Sequence, residues 1–278
     1  MGFSDNVSAC TPSSGMDRQW RNFLRNLGEW HGSFATLSPD AELIDSSASI
    51  LVLEQGDEER LVHFHLRRFR GSERSGEPSR EVRQDYRSLG RQVVFFDNGS
   101  FSKGSLQMAP ATASGAEFGF VDHDRRHRLV VLHGEDGHFT SLVLIRERRA
   151  GSEAAERPPL EPSALAGQWR GTAATISADW PEPESQECVL QIEPHSGGAW
   201  SIRQRTASGE QVLGDAGLRQ LLLPDSGFVG VPDQVSHRAP FSIEATWLPA
   251  ANRMDRLIRR YDASGAWVSS TQILAQRF

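Results

Sequence analysis

The hydrophobic positions of the chain first follow a helical period and then a period of two. Apolar side chains at Met16, Trp20, Phe23 and Leu27 lie at helical spacing, and Gly28 is suited to end that helix. Beyond it, apolar and polar residues alternate in short runs separated by glycine-rich turns. This pattern predicts one short amphipathic helix followed by antiparallel strands, about eight or nine of them before the linker.

The chain repeats itself once. The segment 28–36, which contains a Gly-x-Trp motif, recurs as segment 167–175, 139 residues later. Three further short segments, which begin at Arg91, Arg128 and Gly137, recur in order 128 residues later. Each copy is long enough for a whole domain and too long for a solenoid unit. We therefore predict one module that was duplicated and fused.

Composition sets the predicted domain limits. Residues 1–15 are rich in small polar residues and predict a disordered lead. Residues 16–149 are predicted to form the first barrel with its helix, and residues 167–278 the second barrel. Residues 150–166 contain glycine and consecutive prolines that a sheet does not accept, so they are predicted to be a linker that ends in one helical turn.

The tryptophan of the repeated motif favours a barrel over a sandwich. A meander of strands rolled into a barrel leaves an open end, and the indoles of Trp30 and Trp169 are large enough to close it as structural plugs. An immunoglobulin-like sandwich would need a mid-domain tryptophan between two cysteines, which the sequence lacks. We expect the last strand of each copy to pair with the first, so that no edge stays unpaired.

The order of helix, Gly-x-Trp, meander and a final strand with arginine resembles the lipocalin, or calycin, pattern. In lipocalins an arginine of the last strand packs over that tryptophan; the candidates are Arg146 and Arg148 in copy one and Arg277 in copy two. The chain also resembles an uncharacterised two-barrel calycin family of cyanobacteria and plastids, in segments 30–34, 86–91, 95–101, 115–120, 124–126 and 156–160. A more distant similarity is to calycin-type phycobilin lyases, which hold an open-chain tetrapyrrole. The resemblance implies an all-β chain of two tandem lipocalin-like antiparallel β-barrels, with no settled activity.

Composition also narrows the classes of partner. A net charge of −6 argues against a general nucleic-acid binder, and no apolar run reaches the ~18 residues of a membrane span. Cys10 and Cys188 suggest no disulfide framework. The first residues fit neither a secretion signal nor a myristoylation pattern, so a reducing, cytoplasmic location is expected.

Copy one is richer in arginine, histidine and phenylalanine, so any ligand pocket is predicted there, while copy two is expected to be filled by its own side chains. Arginine forks can hold carboxylates through two hydrogen bonds. The candidate ligand-binding residues are Arg67, Tyr86, Arg91, Phe95, Glu117, Arg128 and Arg146. Each also has a structural interpretation: a solvated outer face for the arginines of residues 67–91, packing over tryptophan for Arg146, and core packing for the phenylalanines.

No catalytic motif stands out. The sequence has no nucleophile elbow, no glycine-rich phosphate loop and no Cys-x-x-Cys. His63 and His65 share one strand face and could form a metal pair, but Arg67 and Arg68 follow, and cations repel a metal. We therefore predict no metal site and no catalytic residue.

The leading hypothesis is a non-catalytic protein of a photosynthetic cell whose first barrel binds a hydrophobic, acid-bearing small molecule, a tetrapyrrole (bilin) first and a lipid second. An alternative is an interaction or assembly factor with filled barrels, whose exposed arginines near residues 70–91 contact an acidic partner such as a photosynthetic complex. A third is a bilin lyase-like enzyme with Glu117 or Asp97 as proton donor.

Overall fold

The computed structural model describes residues 15–180, 182–195, 200–213 and 217–278. Residues 1–14 of the predicted lead lie outside the described residues. Both copies have the same order of elements, one short helix followed by nine strands. In copy one they are α1 (Gly15–Leu24), β1 (Gly28–Leu37), β2 (Leu43–Gln55), β3 (Val62–Arg70), β4 (Arg80–Tyr86), β5 (Val93–Phe95), β6 (Phe101–Gly104), β7 (Ser114–Asp122), β8 (Arg125–His133) and β9 (Phe139–Arg149). In copy two they are α2 (Pro162–Leu165), β10 (Gly167–Ser177), β11 (Glu184–Pro194), β12 (Trp200–Thr206), β13 (Gly209–Leu213), β14 (Leu218–Leu223), β15 (Gly227–Pro232), β16 (Phe241–Ala250), β17 (Arg253–Tyr261) and β18 (Trp267–Arg277).

Each copy forms one curled, antiparallel sheet of nine strands. The strand order is β4-β3-β2-β1-β9-β8-β7-β6-β5 in the first copy and β13-β12-β11-β10-β18-β17-β16-β15-β14 in the second. The last strand pairs with the first in both copies. The prediction of an all-β chain of two barrels in tandem is confirmed.

The closure of the barrels differs from the expectation. The two ends of the first sheet are β4 and β5, which follow each other in sequence but share no strand ladder among the described residues. The second sheet ends in the same way at β13 and β14. The unpaired edges are therefore not removed: each barrel is closed between its first and last strands and keeps a seam between its fourth and fifth.

The two tryptophans of the repeated motif have equivalent surroundings. Trp30 and Trp169 are both fully buried, and each indole Nε1 donates to the carbonyl oxygen four residues earlier, at 2.9 Å to Asn26 and 3.0 Å to Leu165. Each indole therefore ties the first strand of its barrel to the helical segment that precedes it. In barrel one, Trp20 and Phe23 of α1 join the same apolar cluster as Trp30, so the helix covers this end of the barrel.

The arginine that packs over each tryptophan comes from the end of the last strand. The guanidinium carbon of Arg277 lies 4.7 Å from the ring centroid of Trp169, as expected. Over Trp30 the arginine is Arg149, at 4.4 Å, rather than Arg146 or Arg148. The reason is register: Arg149 is paired directly with Trp30, whereas Arg148 is paired with the next residue and projects from the other face of the sheet.

The two barrels pack against each other through the outer faces of their sheets. The largest apolar cluster contains residues of both copies, among them Phe118 and Leu144 of the first and Val229 and Trp247 of the second. Polar contacts cross the same interface, for instance from Asn98 to Asp255 at 3.0 Å. The two copies therefore share one continuous core.

The interface has an approximate two-fold symmetry. Gln107 forms a bridge with Ala266, and the equivalent bridge with the copies exchanged joins His138 to Gln234. Backbone hydrogen bonds follow the same rule, from Trp267 to the Leu106 oxygen and from Phe139 to the Asp233 oxygen. Such reciprocal contacts are typical of an isologous dimer. The fused copies thus pack as a symmetric dimer of barrels would.

Candidate functional site

A cavity of about 280 Å³ lies inside barrel one, directly behind the seam between β4 and β5. We call it the seam pocket. Residues 88–90 of the connection between these strands lie at its mouth, and α1 contributes one wall. Its apolar lining consists of Phe23, Leu53, Phe64, Tyr86, Leu89, Val93, Phe95 and Phe101, and its polar lining includes Gln84, Lys103, Glu117, Arg126 and Arg128. The cavity therefore has an apolar side and a charged side.

The apolar side is a connected set of aromatic rings. Tyr86 makes edge-to-face contacts with Phe23 of α1 and Phe64 of β3, at centroid distances of 5.7 and 5.9 Å. Phe95 stands 5.3 Å from Phe23 and 5.2 Å from Phe101. Burial raises the pKa of the Tyr86 hydroxyl, with a further contribution from Glu117. The rings hold one another in place, so this wall is preorganised.

The charged side is built by alternate residues of neighbouring strands. Arg128 of β8 donates from Nη1 to Glu117 at 2.9 Å, and from Nε and Nη2 to the two oxygens of Glu147 at 3.1 and 2.9 Å. Burial alone would lower the pKa of Arg128, but Glu147 and Glu117 outweigh it and raise the pKa overall. This arginine is fully satisfied by the protein.

Arg126, two residues earlier on the same face of β8, is not fully satisfied by hydrogen bonds within the protein. Its side chain is 5% exposed, and its nearest carboxylate oxygen, on Glu147, lies 3.7 Å from Nη1. Its Nε and Nη1 have no hydrogen-bond partner. Burial lowers the pKa of Arg126 to about 10, a shift that Glu147 only partly offsets. Barrel one thus holds a buried cation with free donor groups at the edge of the seam pocket.

Among the described residues inside barrel one, cationic side chains outnumber carboxylates. Besides Arg126 and Arg128, Arg68 lies on the inner face, where it donates to the Ser47 hydroxyl and stacks 4.7 Å from the ring of Phe34. Lys103 stands at the pocket rim, 3.9 Å from Glu117. Against these cations stand the carboxylates of Glu117 and Glu147, so the described interior has positive charge in excess.

Barrel two retains only part of this arrangement. Arg256 and Glu244, which correspond to Arg128 and Glu117, form a buried ion pair. Arg256 also donates to the Thr246 hydroxyl at 2.9 Å. By register, Met254 stands where barrel one has Arg126, and Ala275 stands where it has Glu147. The duplicated module thus keeps one ion pair in both copies. Arg256 leaves only its Nε without a partner, whereas the additional arginine of the first copy, Arg126, leaves both Nε and Nη1 without one.

Four of the seven predicted ligand-binding residues line the seam pocket, namely Tyr86, Phe95, Glu117 and Arg128. Arg67 does not, because it alternates with inward-facing neighbours and stands opposite Glu81 on the outer face. Arg91 lies at the barrel interface and donates to the Ala178 oxygen at 3.3 Å. Arg146 faces the linker and pairs with Glu156 at 2.7 Å.

Sequence reasoning missed Arg126, Lys103 and Phe23. A usable signal existed for Arg126, because it precedes Arg128 by two positions and a strand places both on one face. Phe23 could not be assigned to the pocket without knowing where α1 packs. Lys103 needed the register of β6 on β7, which pairs it with Glu117.

The candidate metal ligands and the candidate proton donor Asp97 lie outside the seam pocket. His63 and His65 each contact a carboxylate of β4, at 2.7 Å to Asp85 and 2.6 Å to Glu81, on the outer face. Among the described residues no group of metal-binding side chains comes together. Asp97 lies outside the pocket, where a hydrogen bond from Arg18 lowers its pKa, which makes it a poor proton donor.

The comparisons with known proteins divide the chain between its two copies. Residues 16–152 match the model described as the domain of unknown function DUF3598, N-terminal, and residues 156–278 match the C-terminal domain of "Biogenesis factor required for ATP synthase 1". A crystal structure of a DUF3598 protein of unknown function from Nostoc punctiforme is 35% identical, with a TM-score of 0.83, and the match covers 94% of this chain and 99% of that one. The chain belongs to the DUF3598 family.

More distant structures add nothing to this family assignment. A putative outer membrane protein from Bacteroides fragilis is 9% identical with a TM-score of 0.29, covering 92% of this chain and 99% of that one. A putative AttH from Nitrosomonas europaea is 8% identical with a TM-score of 0.20, covering 98% and 99%. Both scores are too low to carry an argument. No curated protein matches the chain. In the part of the chain that the structure describes, no helix has the length and apolar character needed to cross a bilayer.

Proposed function

We propose that this DUF3598 protein is a non-catalytic binder of a small hydrophobic acid, held in the seam pocket. The observation that carries the proposal is the buried Arg126 guanidinium, whose Nε and Nη1 lack partners at the edge of an aromatic cavity. Leaving a charged donor buried and unsatisfied is costly. A ligand carboxylate would satisfy it, while the ligand's apolar part would lie against Tyr86 and Phe95.

The size of the cavity bears on the class of ligand. Its volume of about 280 Å³ is just below the ~300–1,000 Å³ of pockets for drug-sized molecules. A four-ring tetrapyrrole exceeds that space, whereas a medium-chain fatty acid or a single-ring acid suits it. Of the two ligand classes expected from the sequence, the pocket favours the lipid-type acid.

The test compares Arg126→Met with Arg67→Met in the full chain. Arg126→Met installs the residue of barrel two at the equivalent position, and Arg67→Met removes an arginine from the outer face of the same barrel. Titration with octanoate and with biliverdin, followed by calorimetry, should show octanoate binding that Arg126→Met weakens at least tenfold and Arg67→Met leaves unchanged.

Two results would reject this function. The first is no ligand in organic extracts of the purified protein together with no uptake of either probe. The second is octanoate binding that both variants affect equally, because the charged wall of the seam pocket would then have no special part in it. Preferential uptake of biliverdin would overturn the size argument.

A second function is favoured by the match of residues 156–278 to the C-terminal domain of an ATP synthase biogenesis factor. We propose as the alternative that the chain assists the assembly of an ATP synthase through its exposed basic surface. Arg80 and Arg83 of β4 are exposed and lie on a sheet edge. Tagged protein should capture ATP synthase subunits, identified by mass spectrometry, from a native lysate.

The double charge reversal Arg80→Glu with Arg83→Glu provides the control for that experiment. It should abolish the capture while leaving the circular dichroism spectrum and the unfolding midpoint close to those of the parent protein. If ATP synthase subunits are not captured, or if the reversed variant captures them equally well, this basic surface has no role in assembly.

A further inference from the structure

A second concentration of arginines lies on the outer face of barrel one, opposite to the seam pocket. Strand register places Arg125 of β8 directly opposite Arg148 of β9, and Arg148 directly opposite His31 of β1. Like charges in directly opposed cross-strand positions destabilise a sheet. Carboxylates contact both ends of this row of three bases, Glu29 at 2.6 Å from His31 and Asp225 at 2.6 Å from Arg125. Arg148 lies between them.

Two further arginines converge on this row. Arg74, from the loop between β3 and β4, reaches over the sheet and donates to the carbonyl oxygens of Gly32 and Ser49 at 3.2 and 3.3 Å. Arg146 lies one row further along β9. Burial lowers the pKa of Arg74, and the nearby charge of Arg148 lowers it further. Together these residues surround a cavity of about 170 Å³ beside residues 154–156 of the linker.

Several of the donors around this cavity have no acceptor. The Arg125 side chain is 10% exposed; its Nη2 donates to Asp225 at 2.6 Å, but its Nε and Nη1 have no partner. The Nε of Arg146 is also buried and without a partner. Glu156 of the linker, about half exposed, takes one donor of Arg146 at 2.7 Å. Glu147 also lines the cavity, but both of its oxygens accept hydrogen bonds from Arg128. Two carboxylates thus stand against four arginines.

We propose that this cavity binds a tetrahedral oxyanion, either phosphate or a phosphate monoester, through Arg74, Arg125, Arg146 and Arg148. Guanidinium forks recognise phosphate oxygens in bidentate fashion. The cavity is large enough for a phosphate group and too small for the aromatic or acyl ligand of the seam pocket. Because Glu156 occupies part of the donor set, a bound phosphate displaces its carboxylate from Arg146. The site therefore couples the anion to the linker between the two barrels.

The experiment is an isothermal titration of the full chain with inorganic phosphate at constant ionic strength. We expect saturable binding of one phosphate per chain. Arg148→Gln removes an exposed arginine of the row and should weaken binding at least tenfold. Glu156→Gln removes the competing carboxylate and should tighten binding several-fold. Arg203→Gln removes an exposed arginine of β12 in barrel two and should leave the affinity unchanged.

A second titration with glycerol 3-phosphate distinguishes the two sources of the anion. Tighter binding of the ester identifies a phosphorylated metabolite or headgroup, and equal binding identifies free phosphate. If Arg148→Gln alters the unfolding midpoint, Arg74→Gln provides an independent test of the same site. The proposal is overturned by the absence of saturable phosphate binding, by equal affinities of Arg148→Gln and Arg203→Gln, or by weaker binding to Glu156→Gln.

Discussion

At the scale of single residues, the most informative contact is the arginine that stacks over each plug tryptophan. The sequence predicts such an arginine on each last strand, but both candidates in copy one, Arg146 and Arg148, are wrong, because Arg149 is the residue that stacks on Trp30. Which arginine stacks depends on which residue of β9 is paired with Trp30, and a shift of one residue reverses the face. In copy two, Arg277 was the only candidate, and it is the residue that stacks.

Removing the stacking arginine should destabilise barrel one. Arg149 lies 4.4 Å from the Trp30 centroid and donates to the Leu27 oxygen at 3.0 Å. We expect Arg149→Ala to lower the free energy of unfolding by about 2 kcal/mol, since it removes a cation–π contact and a charged hydrogen bond. Arg148→Ala, next in sequence but exposed, should stay within about 0.5 kcal/mol of the parent. Equal effects in urea unfolding would show that the stack contributes nothing.

A second residue-scale feature is a buried carboxyl at the barrel interface. Asp255 accepts hydrogen bonds from Ser100, Asn98 and Gln272, which are neutral donors. Burial raises its pKa to about 6, because these bonds only partly offset the loss of water. Its equivalent in barrel one is His127, which burial keeps neutral by lowering its pKa. Equivalent positions of the symmetric interface thus hold an acidic residue in one copy and a basic residue in the other.

The raised pKa of Asp255 predicts a pH dependence. A carboxyl whose folded pKa lies above its unfolded value of 3.8 binds more protons when folded, so its contribution to stability is complete below pH 4 and is lost as pH rises through 6. Relative to the parent, Asp255→Asn should therefore gain about 2 kcal/mol in unfolding free energy between pH 4 and pH 7. Urea unfolding at pH 4, 5, 6 and 7 measures that difference. A constant offset between the two proteins would mean that Asp255 titrates normally.

At the scale of elements, alternation of apolar and polar residues predicted the strands well, because nearly every strand has one face in a core. The seams were not predictable in this way. Whether β4 and β5 share a ladder depends on the curvature of the whole sheet, which no local pattern encodes. The seam pocket is therefore visible only in the fold, although side-chain chemistry alone predicts four of its residues.

Because a local sequence pattern does not show how strands and barrels pack, three predicted ligand-binding residues lie outside the seam pocket, namely Arg67, Arg91 and Arg146. Arg67 is one position away from its inward-facing neighbours along β3, so its side chain projects from the opposite face of the sheet. The sequence predicts Arg91 as a pocket residue, but Arg91 contacts the second barrel. Its equivalent, Arg219, contacts the first barrel by donating to the Pro39 oxygen. Contacts between the copies cannot be inferred from a repeat alone.

The turns that join the two barrels allow a sharp test of the interface. Gly137, in the turn before β9, has a φ of 79°, and a Cβ there would collide with the Val235 oxygen of barrel two. Gly151 has nearly the same φ, 77°, with nothing within 4 Å of its Cβ position. Both alanine variants carry the strain of a left-handed residue, about 1–2 kcal/mol. Gly137→Ala also forces the interface apart.

We therefore expect Gly137→Ala to be less stable than Gly151→Ala by about 1–3 kcal/mol, which is the usual cost of inserting a methyl group into a packed site. Urea unfolding of the two variants gives the difference directly, since the shared backbone strain cancels. Similar midpoints would indicate that the bridge between His138 and Gln234 is not maintained in solution.

At the scale of the whole molecule, the reciprocal contacts explain why the copies diverged unequally. The parts of the two outer faces that meet form the shared core, so these parts are largely apolar in both copies. The interiors are free to differ: barrel one has Arg126 where barrel two has Met254, and barrel two has an apolar cluster around Trp169. Duplication thus separates a barrel with a pocket from a barrel that supports it.

A continuous core also predicts that the two barrels unfold together. Leu190 is fully buried inside barrel two, away from the interface, and truncating it to alanine should cost about 2–5 kcal/mol. If unfolding is cooperative across the shared cluster, the slowest-exchanging amides of β1 in barrel one lose protection by the same free energy as those of β10. Native-state hydrogen exchange followed by mass spectrometry resolves the two strands. Loss of protection confined to barrel two would mean that the interface transmits no stability, and that the fused dimer acts as two separate domains.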